Sequence, residues 1–245
     1  MPCYSPLKGY KSEENGGIIF RRDKNQDEME VACGQCIGCR LDRSRMWAMR
    51  ITHESSLHEH TNGNCFITLT YRPKNQATPE QIKQGYYLPE DWSLKKEHFQ
   101  KFIKRLRKAH PDQKIKYYHA GEYGKMCRHG LDLELVDCPM CNLGRPHYHA
   151  CIFNLRFNDL EPYAVQKGTT RYTSNTLEKI WKYGFVDVGQ LEFQSAAYVA
   201  RYIMKKITGP QAKDHYINRD EYGEITYVEP EYSTMSNGIG KDWYQ

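Results

Sequence analysis

The sequence predicts an α+β fold in which an antiparallel sheet carries flanking helices and small cysteine-rich attachments. Three observations lead there. Short β-branched and aromatic runs at residues 66–71, 115–119, 147–153 and 185–188 are bounded by turn residues, as strands are. Longer segments at 40–58, 93–110 and 195–206 carry helix-compatible spacing. Strands and helices segregate along the chain, with an antiparallel sheet as the floor, and most of the nine cysteines fall into two groups.

Taken in order, the first thirty residues mix Gly, Pro, Asn and charge around Ile18-Ile19-Phe20 and read as irregular with at most one strand. Residues 40–58 have few breakers, and Leu41, Ser44, Trp47, Met49 and Ile51 suit a helix that ends in a His/Asn/Gly-rich turn. The run 66–71 lies between Asn62-Gly63 and Pro73, which predicts a buried strand. Residues 72–92 read as a loop. Ser93 is the expected N-cap of a helix whose Phe99, Phe102, Ile103 and Leu106 recur at i, i+3, i+4 and i+7, and Pro111 stops it. A strand at 115–119 leads into a Gly121-Glu-Tyr-Gly124 turn and pairs with the strand at 147–153, so the residues between form an insertion across the hairpin. A helix over 175–183, a strand over 185–188 and a helix over 195–206 complete the set. The expected division is 1–58, a cysteine-rich segment with a basic helix, and 59–245, a core with a cysteine-rich insertion at 125–144.

With 245 residues, 39% hydrophobic and 27% charged, the chain can bury a sizeable core and lies outside the disordered class. No apolar run approaches the roughly 18 residues that span a bilayer, and Met-Pro-Cys-Tyr-Ser-Pro lacks the core of a signal peptide. A cytosolic site of action with no membrane partner is expected. The net charge of +5 says little by itself, but Lys and Arg crowd into 40–50 and 95–108, where a basic helical face can follow a phosphate backbone. Nineteen tyrosines supply flat rings for stacking on unpaired bases.

Without an export signal, the cysteines argue for metal or reduced thiols rather than disulfides. Cys33-x-x-Cys36-x-x-Cys39 gives three soft ligands at zinc spacing, with Cys3 as a fourth. Cys127-x-His129 with Cys138-x-x-Cys141 gives four more. Closed shells of this kind favour structural Zn²⁺. Cys65 and Cys151 fall inside apolar strands and read as buried thiols.

His147-Tyr148-His149 on a strand points both imidazoles to one face, where they can hold one metal ion. Fifty residues on, Tyr198 and Tyr202 are four apart on a helix and neighbours on one side, while Val199 and Ile203 supply its core-facing stripe. Such a strand followed by paired nucleophiles suggests phosphodiester chemistry. A free phenol, with a pKa of about 10, is a weak nucleophile at neutral pH. A divalent cation polarises the phosphate and stabilises its developing charge. Mg²⁺ or Mn²⁺ prefers oxygen-rich octahedral shells, so a third protein ligand is expected. Lys205 follows Tyr202 by three residues and Tyr198 by seven, on the face that can stabilise a phenolate or a phosphate.

Phe66-Ile-Thr-Leu-Thr-Tyr71, the His-x-His strand and Tyr198-x-x-x-Tyr202 with Lys205-Lys206 resemble, in chain order, the three motifs of the HUH endonucleases. They resemble more closely those of the rolling-circle replication initiators of small single-stranded-DNA bacteriophages. The Cys-Gly-Gln-Cys-Ile-Gly-Cys-Arg run, residues 33–40, extends the resemblance to the microvirus (gokushovirus) type. The likeness covers residues 60–207. It implies an HUH/RRM-like nuclease core and a metal-dependent DNA nickase and strand transferase. One tyrosine joins the 5′ phosphate and frees a 3′ hydroxyl; the second attacks the regenerated junction. It also implies an acidic or polar third ligand from the neighbouring strand, for which Glu122 is the choice, with His119 and Glu192 as alternatives. The partners implied are a single-stranded or replicative-form DNA origin, a host DNA polymerase and, since no P-loop pattern is present, a host helicase, all in the cytoplasm of a bacterial host. Relatives commonly continue past Gly-Ile-Gly-Lys-Asp-Trp-Tyr-Gln, which implies a fragment or a shortened version. A transposase or relaxase shares this chemistry. From another class, a non-enzymatic zinc-ribbon protein would bind nucleic acid without any covalent product.

Overall fold

The computed structural model describes residues 3–12, 16–21, 27–166, 168–220 and 222–244. Near the N-terminus β1 (Leu7–Lys11), β2 (Ile18–Ile19) and β3 (Glu28–Val31) form a small antiparallel sheet in the order β2-β1-β3. The sequence reading allowed one strand at most there. These strands are short and mostly exposed, so no apolar alternation announces them.

The main sheet draws on β4 (Asn64–Tyr71), β5 (Lys116–Cys127), β6 (Gly144–Phe153), β7 (Leu160–Gln166), β8 (Thr169–Ser174) and β9 (Gly184–Gly189). After a two-stranded ribbon of β10 (Ile217–Arg219) and β11 (Ile225–Tyr227), β12 (Tyr232–Met235) returns to its edge. The order is β12-β5-β6-β4-β9-β8-β7, antiparallel throughout. The helices are α1 (Ile37–Ser56), α2 (Pro79–Lys83), α3 (Lys96–Ala109), α4 (Asn175–Trp181), α5 (Phe193–Ala200), α6 (Tyr202–Lys205) and α7 (Ala212–His215).

Alternation along β4 assigns its side chains to two faces. Ile67, Leu69 and Tyr71 join Phe99, Phe102 and Leu106 of α3 and Trp181 of α4 in one core, whereas Phe66 joins Ile51 of α1, Val199 of α5 and Tyr202 in another. Helices therefore cover both faces, which is why β4 and β6 read as almost unbroken apolar runs. Cys65 and Cys151 are buried, as expected. No helix among the described residues is long and apolar enough to cross a membrane.

Several local expectations are corrected. Residues 121–124 are no turn: β5 runs straight through them, and Glu122 pairs with His147 across the ladder. Glycines at 121 and 124 had suggested a break, yet both lie within the strand, and a Cβ on Gly121 would lie 2.8 Å from the Tyr232 ring. Ser93 does not cap α3. Its hydroxyl donates to the Leu94 carbonyl and accepts from the Glu229 amide, and the N-cap is Lys95, with no side-chain bond. The loop 72–92 contains a 3₁₀ turn and α2, which Thr78-Pro79-Glu80-Gln81 opens with a reciprocal capping box. The expected helix 195–206 is two pieces meeting at Arg201, and the side chain of Ile203 lies outside the described ones. The hairpin of β7 and β8 and the strands after residue 210 had no counterpart in the sequence reading. The basic cluster 95–108 lies on α3, against the core opposite the histidines. There Arg105 donates to the carbonyls of Ile180 and Trp181, and Arg107 to that of Ile115, so these two cations serve the fold.

Candidate metal centre and tyrosine pair

Four strands lay the site out as two cross-strand rows on one face. Glu122, His147, Thr70 and Phe185 face one another across β5, β6, β4 and β9; Ala120, His149, Thr68 and Asp187 form the next row. His147 Nε2 and His149 Nε2 are 3.1 Å apart, and Glu122 Oε2 lies 3.4 and 3.2 Å from them. Each imidazole has its other nitrogen engaged. His147 Nδ1 donates to the Arg145 carbonyl at 3.1 Å, and His149 Nδ1 pairs with the Thr68 hydroxyl at 3.0 Å. Such partners fix ring orientation and leave Nε2 free to ligate.

Burial lowers the His149 imidazole to about 4, so it is neutral near pH 7. Burial pushes the Glu122 carboxyl up, but hydrogen bonds from His147 and His149, the His147 charge and Lys205 together hold it well below the usual range. Three potential ligand atoms thus converge in a place 4% to 6% exposed at Glu122 and His149. This nitrogen and oxygen set fits a divalent cation. Lys205 Nζ pairs with Glu122 Oε1 and stands 5.0 Å over the Tyr202 ring.

Both tyrosines meet His149. Tyr202 is 3% exposed and Tyr198 44%, and their rings meet edge-on at 5.0 Å. Burial, then the negative charge of Glu122, raises the Tyr202 phenol far above its ordinary value. The two alternative ligands lie elsewhere: His119 is on the opposite face, stacked on Phe99 at 3.5 Å, and Glu192 is the exposed N-cap of α5.

The cysteine groups assemble as two further clusters. Cys3, Cys33, Cys36 and Cys39 keep their sulfurs within 4.8 Å of one another, as Cys127, His129, Cys138 and Cys141 do their ligand atoms. Sulfur pairs at 3.7, 4.0 and 3.6 Å match the edges of a tetrahedron of thiolates about 2.3 Å from a metal, which measure about 3.8 Å. Both clusters could hold a metal ion. The first sits at the start of α1, where Arg40 donates to the Met204 carbonyl and, at 2.8 Å, to that of Lys206, at the end of α6. The second closes the β5–β6 hairpin and bonds β10 through Met140 and Arg219.

The sequence reading missed Phe185, Asp187 with its Arg171 ion pair, and Arg145. Alternation with buried Val186 and Val188 was the signal available for the first two.

Fold and site define an α+β protein whose sheet face gathers three residues that could hold a metal ion and two phenols. The chain belongs to the replication-associated protein ORF2/G2P family, whose family model matches residues 64–207. It is 33% identical over 260 residues to the replication-associated protein ORF2 of Spiroplasma virus 4, covering 100% of this chain and 70% of that one. Over 257 residues it is 29% identical to the replication-associated protein VP4 of Bdellovibrio phage phiMH2K, with 100% and 68% covered. The replication-associated protein ORF4 of Chlamydia phage 1 is 29% identical over 227 residues, with 89% and 47% covered. No solved structure matches the chain.

Proposed function

We propose that the protein starts rolling-circle replication by nicking single-stranded DNA at an origin through a tyrosine, and afterwards rejoins the strands. The observation that carries this reading is the convergence of Glu122 Oε2 and two imidazole Nε2 atoms with both phenols against His149. Membership of a replication-associated family supports it. Mg²⁺ or Mn²⁺, when held by Glu122, His147 and His149, supplies charge that polarises the scissile phosphate.

The chain's own groups do the rest. A tyrosine Oη bonds to phosphorus as the bond to the 3′ oxygen breaks; the phenol loses its proton and the leaving oxygen gains one. Lys205 places a cation beside the phenol and the phosphate. The phosphotyrosine keeps the ester energy, so the second tyrosine can attack the regenerated junction and ligation needs no nucleotide. A host polymerase extends the 3′ hydroxyl and a host helicase opens the duplex, in the cytoplasm of a bacterial host. The two cysteine clusters hold structural Zn²⁺ as closed shells with no open position.

The deciding experiment incubates the protein with single-stranded DNA of its replicon and Mn²⁺ and resolves products on a denaturing gel. A protein–DNA adduct is expected for the wild type, and none for Tyr198→Phe/Tyr202→Phe or His147→Ala/His149→Ala. Absence of any adduct from wild type that still binds DNA would make the protein a binding module.

A further inference from the structure

Extending the β4–β6 register two pairs beyond Thr70 and His147 sets Arg72 opposite Arg145, next on the same face to the row that carries Glu122. Neither guanidinium has a carboxylate partner among the described residues. Arg145 donates to the Tyr71 carbonyl, its Nε is buried without a partner, and it is half-buried. Arg72 lies 5.6 Å over the ring of Phe185. Phe185 is 45% exposed, although Val186 and Val188 beside it are buried, and it stands two strands from His147, about 10 Å. Two unpaired planar cations and an open ring are the groups that hold a phosphate and stack a base.

We infer that Arg72, Arg145 and Phe185 form a nucleotide subsite beside the metal centre, the guanidiniums taking the phosphate next to the scissile one and Phe185 stacking the adjoining base. This rests on the DNA-nicking reading for its substrate, but its geometry is independent of the tyrosines. Arg145, held by its bond to Tyr71, fixes one side of the subsite, while Arg72 and Phe185 form its open side.

The test is carried out in a Tyr198→Phe/Tyr202→Phe background, which removes cleavage, with a labelled short oligothymidylate as the probe and anisotropy as the readout. Phe185→Ala should weaken binding about tenfold with the salt dependence unchanged. Arg72→Ala should weaken binding and lower the slope of log affinity against log salt by about 0.7. Phe185→Trp should bind as the parent does. Unchanged affinity in Phe185→Ala together with an unchanged salt slope in Arg72→Ala would overturn the subsite. The adduct assay is separate, so a protein that never nicks yet shows both signatures would sink the nickase and leave the subsite standing.

Discussion

The ring of Tyr202 lies parallel to the imidazole of His149, with 5.3 Å between centroids and 2° between planes. Tyr198 meets the same imidazole edge-on at 5.2 Å and 80°. One candidate ligand thus carries both phenols, but only Tyr198 is open to an arriving strand. Tyr198 is therefore expected to make the first attack, and Tyr202 the second. In single-turnover assays Tyr198→Phe should lower the first adduct on the order of a hundredfold or more, whereas Tyr202→Phe should form the adduct and fail to resolve it. Equal loss in both variants would defeat this order.

Lys205 competes with any cation for Glu122, since its ammonium already pairs with Oε1. Lys205→Ala should therefore bind Mn²⁺ more tightly, by roughly three- to tenfold, because a like charge has gone. The same variant should nick about ten- to a hundredfold more slowly at saturating metal, having lost the charge beside the phenol. Calorimetry and rates together separate the two effects. Weaker metal binding would mean that Lys205 holds Glu122 in its ligating position instead of competing.

Thr68 reaches the centre only through His149 Nδ1. Thr68→Val keeps the shape and removes the hydroxyl, so Mn²⁺ affinity should fall about ten- to a hundredfold, as for other partners that orient a metal-bound histidine. Thermal stability of the metal-free protein should change little. A Thr68→Ser variant that restores the affinity would tie the loss to the hydroxyl.

Two metal ions per chain at the cysteine clusters are expected by mass spectrometry under native conditions, falling to one in Cys36→Ser. Because the first cluster starts α1 and Arg40 follows it to bind the end of α6, Cys36→Ser should also lower both the melting temperature and the nicking rate. A variant that loses the ion and keeps full nicking would detach the cluster from the tyrosines.

How much of this was legible depended on the range of the signal. The stripe of Phe99, Phe102, Ile103 and Leu106 and the His147/His149 pairing are local periodicities, and each appears where the period puts it. The cysteine groups were legible as residue types at suitable spacings and Glu122 through the family resemblance, and the fold gathers each set. The β5 strand was hidden because Gly121 and Gly124 read as turn formers, when Gly121 answers the close approach of the Tyr232 ring, far off in sequence. Tertiary pairing decided β12 and the N-terminal sheet, whose exposed or short strands carry little pattern of their own. Arg145 draws meaning only from register, and Phe185 from register together with its alternation with Val186 and Val188.

His119, read as an alternative ligand, instead makes the fold more sensitive to acid. It is 2% exposed, hydrogen-bonds Thr234 at 2.8 Å and stacks on Phe99. Burial lowers its imidazole from 6.5 to about 3. Above pH 6.5 folded and unfolded chains both hold it neutral, so it contributes no slope there. As pH falls from 6.5 towards 3, the unfolded chain takes up a proton that the folded chain refuses, and stability declines by up to about 1.4 kcal/mol per pH unit. His119→Gln should be less stable than wild type at pH 8, having lost the stacked ring. The gap should then narrow on acidification at close to that slope. Urea titrations between pH 8 and 4 measure both curves, and the difference cancels the carboxylates they share. Parallel curves would mean that His119 is protonated in the folded protein.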